Sequence, residues 1–211
     1  MDKEPLSLRK KPKQRRSKGL VDDVLLATSK VLPEMGTEKA TTNDIARAAG
    51  VSIGSLYQYF PNKQSIYSKL IEKIEDDHKL MIDEVVSGVV DRPIEEKIHP
   101  IISTIVQTIE NKKPLLRALY RHISELQKLE YLAMTRRLIV DMIYSVLDSY
   151  PLELDERRRK AIAFTVVHSV SGVLQAMVQD PEALSPEEAT EELVFMLQGY
   201  LKLSLESPTD R

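Results

Sequence analysis

From about residue 18 onward, apolar side chains recur at spacings of three and four, and no stretch keeps the period-two alternation of a half-buried strand. The pattern predicts an all-α chain. Val21, Val24, Leu25, Thr28, Val31 and Leu32 form one stripe on a first helix, which Pro33 and Gly36 are expected to end. A short helix over 42–49 follows, with Thr41 as N-cap and Asp44 at the capping-box position, and Gly50 turns the chain. A third helix over 52–59 stops before Pro61. Lys63 opens a long fourth helix carrying Ile66, Leu70, Ile71, Ile74 and Met81. Pro93 suits the first turn of a fifth, which the run Ile98, Ile101, Ile102, Ile105, Val106, Ile109 extends past a kink at Pro100, and Pro114 is expected to start another. A helix over 125–149 ends at Pro151, and two last helices span 155–179 and 186–205.

A chain of 211 residues with 42% hydrophobic and 29% charged side chains, and a mean hydropathy of -0.26, has the composition of a soluble globular protein of two domains. The first twenty residues are basic and lack the apolar core of a secretory signal, so a cytoplasmic setting is expected. With no cysteine, disulfides, thiolate nucleophiles and cysteine-held metals are excluded. His78, His99, His122 and His168 are scattered and form no metal-binding pair, and no phosphate-binding glycine loop is present. Neither an enzyme, nor a metal site, nor a cofactor is expected. The net charge of -2 hides an asymmetry: residues 1–20 carry eight basic side chains against Asp2 and Glu4, a balance of +6 that leaves -8 for the rest. A basic arm before an acidic body fits local contact with phosphates, and residues 9–18 are placed to add minor-groove or phosphate contacts.

The stretch TTNDIARAAGVSIGSLYQYFPNK, residues 41–63, has the spacing of a helix-turn-helix. Ile45 and Ala49 face inward, Val51 plugs the small core, and Leu56 and Phe60 seat the second helix. Ser52, Ile53, Gly54 and Ser55 then lie on the turn that can enter a major groove. Tyr57 and Tyr59 can each offer a hydroxyl to a phosphate, and Lys63 with the N-terminus of the fourth helix can hold another.

These residues resemble the signature of the TetR family of bacterial transcriptional regulators. Ile45-Ala46, Ala49-Gly50-Val51-Ser52, Gly54, Leu56-Tyr57, Tyr59-Phe60 and Lys63 match it, as do Leu25, Ala27, Glu34 and Gly36 upstream. Leu32 and Thr37 depart from it where the family usually has Phe and an aromatic residue. The resemblance implies a DNA-contact set of Thr42, Asn43, Ser52, Ile53, Gly54, Ser55, Tyr57, Gln58, Tyr59 and Lys63. It also implies a basic arm over 1–17, a three-helix DNA-binding domain over 18–65 with a linking helix to about 88, and an effector-binding and dimerisation bundle over 66–211. The implied function is a repressor released from near-palindromic double-stranded operator DNA by a small molecule, although activation is also known in the family. An architectural or non-specific DNA-binding protein without a ligand switch is the competing expectation, but it leaves the apolar-rich C-terminal region unexplained.

Residues 161–179 lack any charge, yet Thr165, His168, Ser169, Ser171, Gln175 and Gln179 interrupt them, so burial on all sides is expected rather than a membrane span. By the resemblance, the outer side of this helix meets a second subunit in a homodimer. Val166, Val170, Val173, Leu174, Met177, Leu193, Leu197 and Leu201 would supply the apolar interface, with Ser169, Gly172 and Gly199 allowing close approach. The effector pocket is expected inside the bundle, walled by Met134, Met142 and Met177 with Tyr120, Tyr144, Phe164 and His168. The lack of an obvious buried carboxylate cluster favours a neutral or anionic, largely apolar effector.

Overall fold

The computed structural model describes residues 7–10, 15–89, 91–122, 140, 143–144, 147, 154–180, 182 and 184–206. Among these it has seven helices and no strand: α1 (Arg15–Lys39), α2 (Thr42–Ala48), α3 (Ile53–Tyr59), α4 (Lys63–Gly88), α5 (Ile94–His122), α6 (Glu156–Gln179) and α7 (Pro186–Glu206). The helix expected over 125–149 lies largely outside the described residues. Val140, Ile143, Tyr144 and Leu147 within it are helical.

α3 stops before Pro61 as expected, but Pro33 and Pro114 do not end or start helices. α1 runs through Pro33 and leaves helical geometry only at Gly36, whose φ of 74° and ψ of 161° suit a residue without Cβ. α5 runs unbroken through Pro100 and Pro114, so no separate helix begins at 114. Burial outweighs the penalty of about 3 kcal/mol for an internal proline. Ile98, Ile101, Ile102, Ile105 and Val106 on one side of Pro114, and Leu115, Leu116 and Leu119 on the other, are all buried, each worth about 1.5–3 kcal/mol.

The chain divides into two compact units, Met1–Asp77 with Pro114–Glu125, and His78–Lys113 with Leu126–Arg211. In the first, Val24, Leu25, Leu32, Ile45, Leu56, Phe60 and Ile66 are almost wholly shielded. Leu32 and Thr37, the two departures from the family pattern, are buried here as well, so smaller side chains fill positions that usually hold larger ones. In the second unit, one apolar cluster joins Ile98–Val106 of α5, Ile143 and Leu147, Ile162–Met177 of α6 and Ala189–Leu201 of α7. By length and composition α6 could cross a membrane, but Ile162, Ala163, Val166, Val167, Val170, Leu174, Met177 and Val178 are buried inside the chain's own core.

One carboxyl sits inside the first unit. Glu75 of α4 is only 4% exposed, and burial, with Asp76 and Glu72 nearby, pushes its pKa up to about 7. A folded-state pKa above the unfolded one favours the fold at low pH, and that contribution is lost as pH rises from the ordinary glutamate range through about 7. Glu75→Gln should therefore raise the melting temperature at pH 8 and flatten its fall between pH 5 and 8, as read by thermal unfolding. A glutamine variant less stable than the parent at pH 8 would contradict the burial of an ionisable carboxyl there.

Candidate nucleic-acid interface

Two seven-residue helices are too short to persist alone, so caps and packing must hold α2 and α3. At α2 the expected capping box is complete: Asp44 N–H donates to Thr41 Oγ1 at 3.2 Å, and Thr41 N–H donates to Asp44 Oδ2 at 3.1 Å. The Thr41 hydroxyl, the Thr41 backbone N–H and Arg47 hold the Asp44 carboxyl below its usual pKa, so the box persists above the ordinary carboxylate range and opens only in acid. Gly50 turns the chain at a φ of 65°. Ser52 caps α3 by accepting the Ser55 N–H at 3.1 Å. Ile45, Leu56 and Phe60 are fully buried and fasten both helices to the core. Ala49 and Val51, expected inside, are only half-buried; Val51 contributes its N–H, which donates to the Ala46 carbonyl at 3.0 Å.

What packing leaves outside is a polar face. Asn43, Ser52, Ile53, Gly54, Tyr57 and Gln58 are exposed, while Thr42, Ser55 and Tyr59 are half-buried. Two hydroxyl pairs organise it: Thr42 Oγ1 and Tyr57 Oη are 2.9 Å apart, joining α2 to α3, and Ser52 and Ser55 Oγ are 2.8 Å apart. Each pair retains lone pairs and can share its protons with a base edge or phosphate. The turn of α3 carrying Ile53 and Gly54 has no bulky polar side chain, which permits close approach to a groove floor.

Lys63 lies where a phosphate contact was expected, but its ammonium is otherwise engaged. Nζ donates to the carbonyls of Thr37 at 2.8 Å, Ala40 at 3.2 Å and Glu38 at 3.5 Å, at the end of α1. These are carbonyls a helix C-terminus leaves without intrahelical partners, and a cation satisfies them. Tyr67 Oη adds a second donor to the Thr37 carbonyl at 3.3 Å. Lys63 thus ties the end of α1 to the start of α4, a role that sequence spacing does not reveal.

The structure describes only part of the expected pocket and places most of the expected interface residues in the chain's own core. Met134 and Met142 lie outside the described residues. Tyr120 belongs to the first unit, whereas Tyr144 and Met177 pack in the core of the second. Phe164 is 64% exposed and stacks on His168 with ring centroids 3.9 Å apart, so it walls no interior pocket. His168 Nδ1 donates to the Phe164 carbonyl at 2.7 Å. Val166, Val170, Leu174, Met177, Leu193, Leu197 and Leu201 are buried within their own chain, which leaves them little free surface for a partner, while Val173 packs against the same core but is only half-buried. Ser169 is half-buried. The outward apolar positions of α6 and α7 are instead Phe164, Phe195, Met196 and Leu203. Among the described residues no three metal-ligating side chains converge.

Two short helices joined by a left-handed glycine turn, the second packed by one face and polar on the other, define a helix-turn-helix DNA-binding protein. Residues 24–70 match the family model for bacterial regulatory proteins of the tetR family, and residues 93–201 match that of the tetracyclin repressor-like C-terminal domain. The chain belongs to the TetR family of transcriptional regulators. Its similarity to the nucleoid occlusion factor SlmA of Haemophilus ducreyi is 50% identity over 42 residues, 20% of this chain and 21% of that one. For SlmA of Haemophilus influenzae it is 34% over 89 residues, 42% of this chain and 40% of that one, so the matches span about a fifth to two-fifths of these relatives. A solved TetR-family regulator from Mesorhizobium loti superimposes with a TM-score of 0.74 at 13% identity, covering 90% of this chain and 98% of that one.

Lys63→Met removes charge-assisted hydrogen bonds worth about 1.5–3 kcal/mol and should lower the urea-unfolding free energy by that order. A change below about half a kcal/mol, typical of an exposed surface substitution, would show that the α1 carbonyls do not depend on the ammonium.

Proposed function

We propose that this chain is a homodimeric repressor that holds near-palindromic operator DNA through α3 of each subunit and is released by a small-molecule effector. The observation that carries the DNA-binding part is the separation of faces on α3: Leu56 is buried, while Ser52, Ile53, Gly54, Tyr57 and Gln58 face out beside Asn43. Base readout then falls to Asn43, Ser52, Ile53, Gly54, Ser55 and Gln58, and phosphate positioning to Thr42, Tyr57 and Tyr59. Lys63 contributes by fixing the start of α4, because a phosphate would have to draw its ammonium away from the α1 carbonyls.

Dimerisation is supported by the outer face of α6 and α7. Phe164 is 64%, Phe195 78% and Leu203 66% exposed, at helical spacing with His168, Gly172 and Gly199. Side chains of that size lower the free energy by leaving water, and a second copy presenting the same stripe is the self-complementary occupant of a two-fold axis. The effector reading rests on the family and on the apolar interior of the second unit, where Tyr144 and Met177 are placed. Glu75, the buried carboxyl, lies in the first unit, so a neutral or anionic, largely apolar effector remains the proposal. Such a ligand acts only through its difference in affinity between DNA-competent and DNA-incompetent states. A bacterial cytoplasm is the proposed setting.

Selection from a random duplex pool by the intact protein should enrich one near-palindromic sequence. Ser55→Ala or Asn43→Ala should then shift base preference, and Tyr59→Phe should weaken all sequences alike. Equal retention of every sequence at moderate salt would favour the architectural alternative and sink this proposal. In sedimentation, Phe164→Asp with Phe195→Asp should convert a dimer to monomer, whereas an undiminished dimer would show that another face pairs. Compounds that stabilise the protein without changing affinity for the enriched duplex would remove the effector switch.

A further inference from the structure

DNA affinity is dominated by cations against phosphates, yet the helix-turn-helix is nearly bare of them. Between Thr41 and Asn62 the sole basic side chain is Arg47, which lies 3.5 Å from Asp44, and α3 has none. The next cation, Lys63, is engaged by the α1 carbonyls. A charge supply for the groove face must come from elsewhere in the chain.

The structure places one beside it. The N–H of Arg9 donates to the Tyr59 carbonyl at 2.8 Å, with Leu8 half-buried and Ser7, Arg9 and Lys10 exposed. Tyr59 is the last residue of α3, where carbonyls lack an intrahelical donor and where positive charge is favoured by the helix dipole. Arg15 is five residues beyond Lys10, at most about 18 Å away by chain reach, and the exposed Arg16 and Lys18 follow it on the first turn of α1. The first turn of α1 has no acidic residue to complement its own dipole, a local disadvantage that an external polyanion reverses.

Building on the DNA-binding reading above, we propose that residues 7–10 are a built-in extension of the recognition helix, docked on Tyr59 so that Arg9 and Lys10 bind DNA phosphates beside each half-site. Because the segment is already anchored, less ordering entropy is lost on binding than for an unattached tail. It touches only the DNA backbone, so it adds affinity to every sequence and leaves sequence preference to α3.

The test uses the intact protein, the duplex it enriches from a random pool, and a mixed-sequence duplex. R9A/K10A should melt like the parent, and the slope of log affinity against log salt should fall by about 0.9 for each phosphate that is no longer neutralised. Affinity should drop roughly tenfold or more for both duplexes, keeping their ratio. S7R/R9P, which keeps the charge but removes the N–H held by Tyr59, should also weaken both. An unchanged salt slope in R9A/K10A, with the enriched duplex still bound, overturns the arm while leaving the helix-turn-helix intact; a changed ratio between the duplexes overturns the backbone assignment. Failure of the parent to bind either duplex overturns the DNA-binding reading itself.

Discussion

The orientation of α3 depends on the burial of Leu56 and Phe60. Seven residues form less than two turns, below the length at which backbone hydrogen bonding offsets the entropy of ordering the chain, so the helix exists only because these side chains, both fully shielded, are removed from water. The same packing decides which side chains are left outside. Rotating α3 by one residue, about 100°, would bury Tyr57 and expose Leu56. Recognition chemistry and core packing are thus two sides of one helix, and Ile45 and the Thr41–Asp44 box extend that constraint to α2.

Electrostatics are divided differently. The polar face of α2 and α3 offers hydroxyls and the two amides of Asn43 and Gln58 but little charge, and the cation that follows it, Lys63, joins α1 to α4. Separating direction-giving hydrogen bonds from affinity-giving charge lets each be set without disturbing the other. Glu75 shows the opposite arrangement, a carboxyl retained in a buried site where its ionisation works against the fold near neutral pH.

The turn region was legible in the sequence because its determinants are local. Thr41 with Asp44, and Gly50, act through neighbours within a few residues, and each is found in the role its spacing predicts; Ser52, expected as the first residue of the helix, caps it instead. Pro33 and Pro114 were not legible, because whether a proline ends a helix depends on what the flanking turns bury, and that is set by distant elements. The outer face of the last two helices failed for another reason. On α7, Leu193, Leu197 and Leu201 form one stripe and Phe195, Gly199 and Leu203 another, displaced by two residues and hence on the opposite side. Both stripes are apolar, so periodicity could not say which faces the chain's own core. Arg9 and Lys63 were missed as structural ties because each acts on a backbone carbonyl, which no side-chain pattern marks.

Amide hydrogen exchange of the intact chain, with and without a duplex enriched from a random pool, tests the assignment of the recognition face most directly. Slowed exchange over residues 41–44 and 52–59 on adding the duplex, with 156–206 unaffected, is the predicted result. Unchanged exchange over α3, with protection confined to α6 and α7, would contradict it.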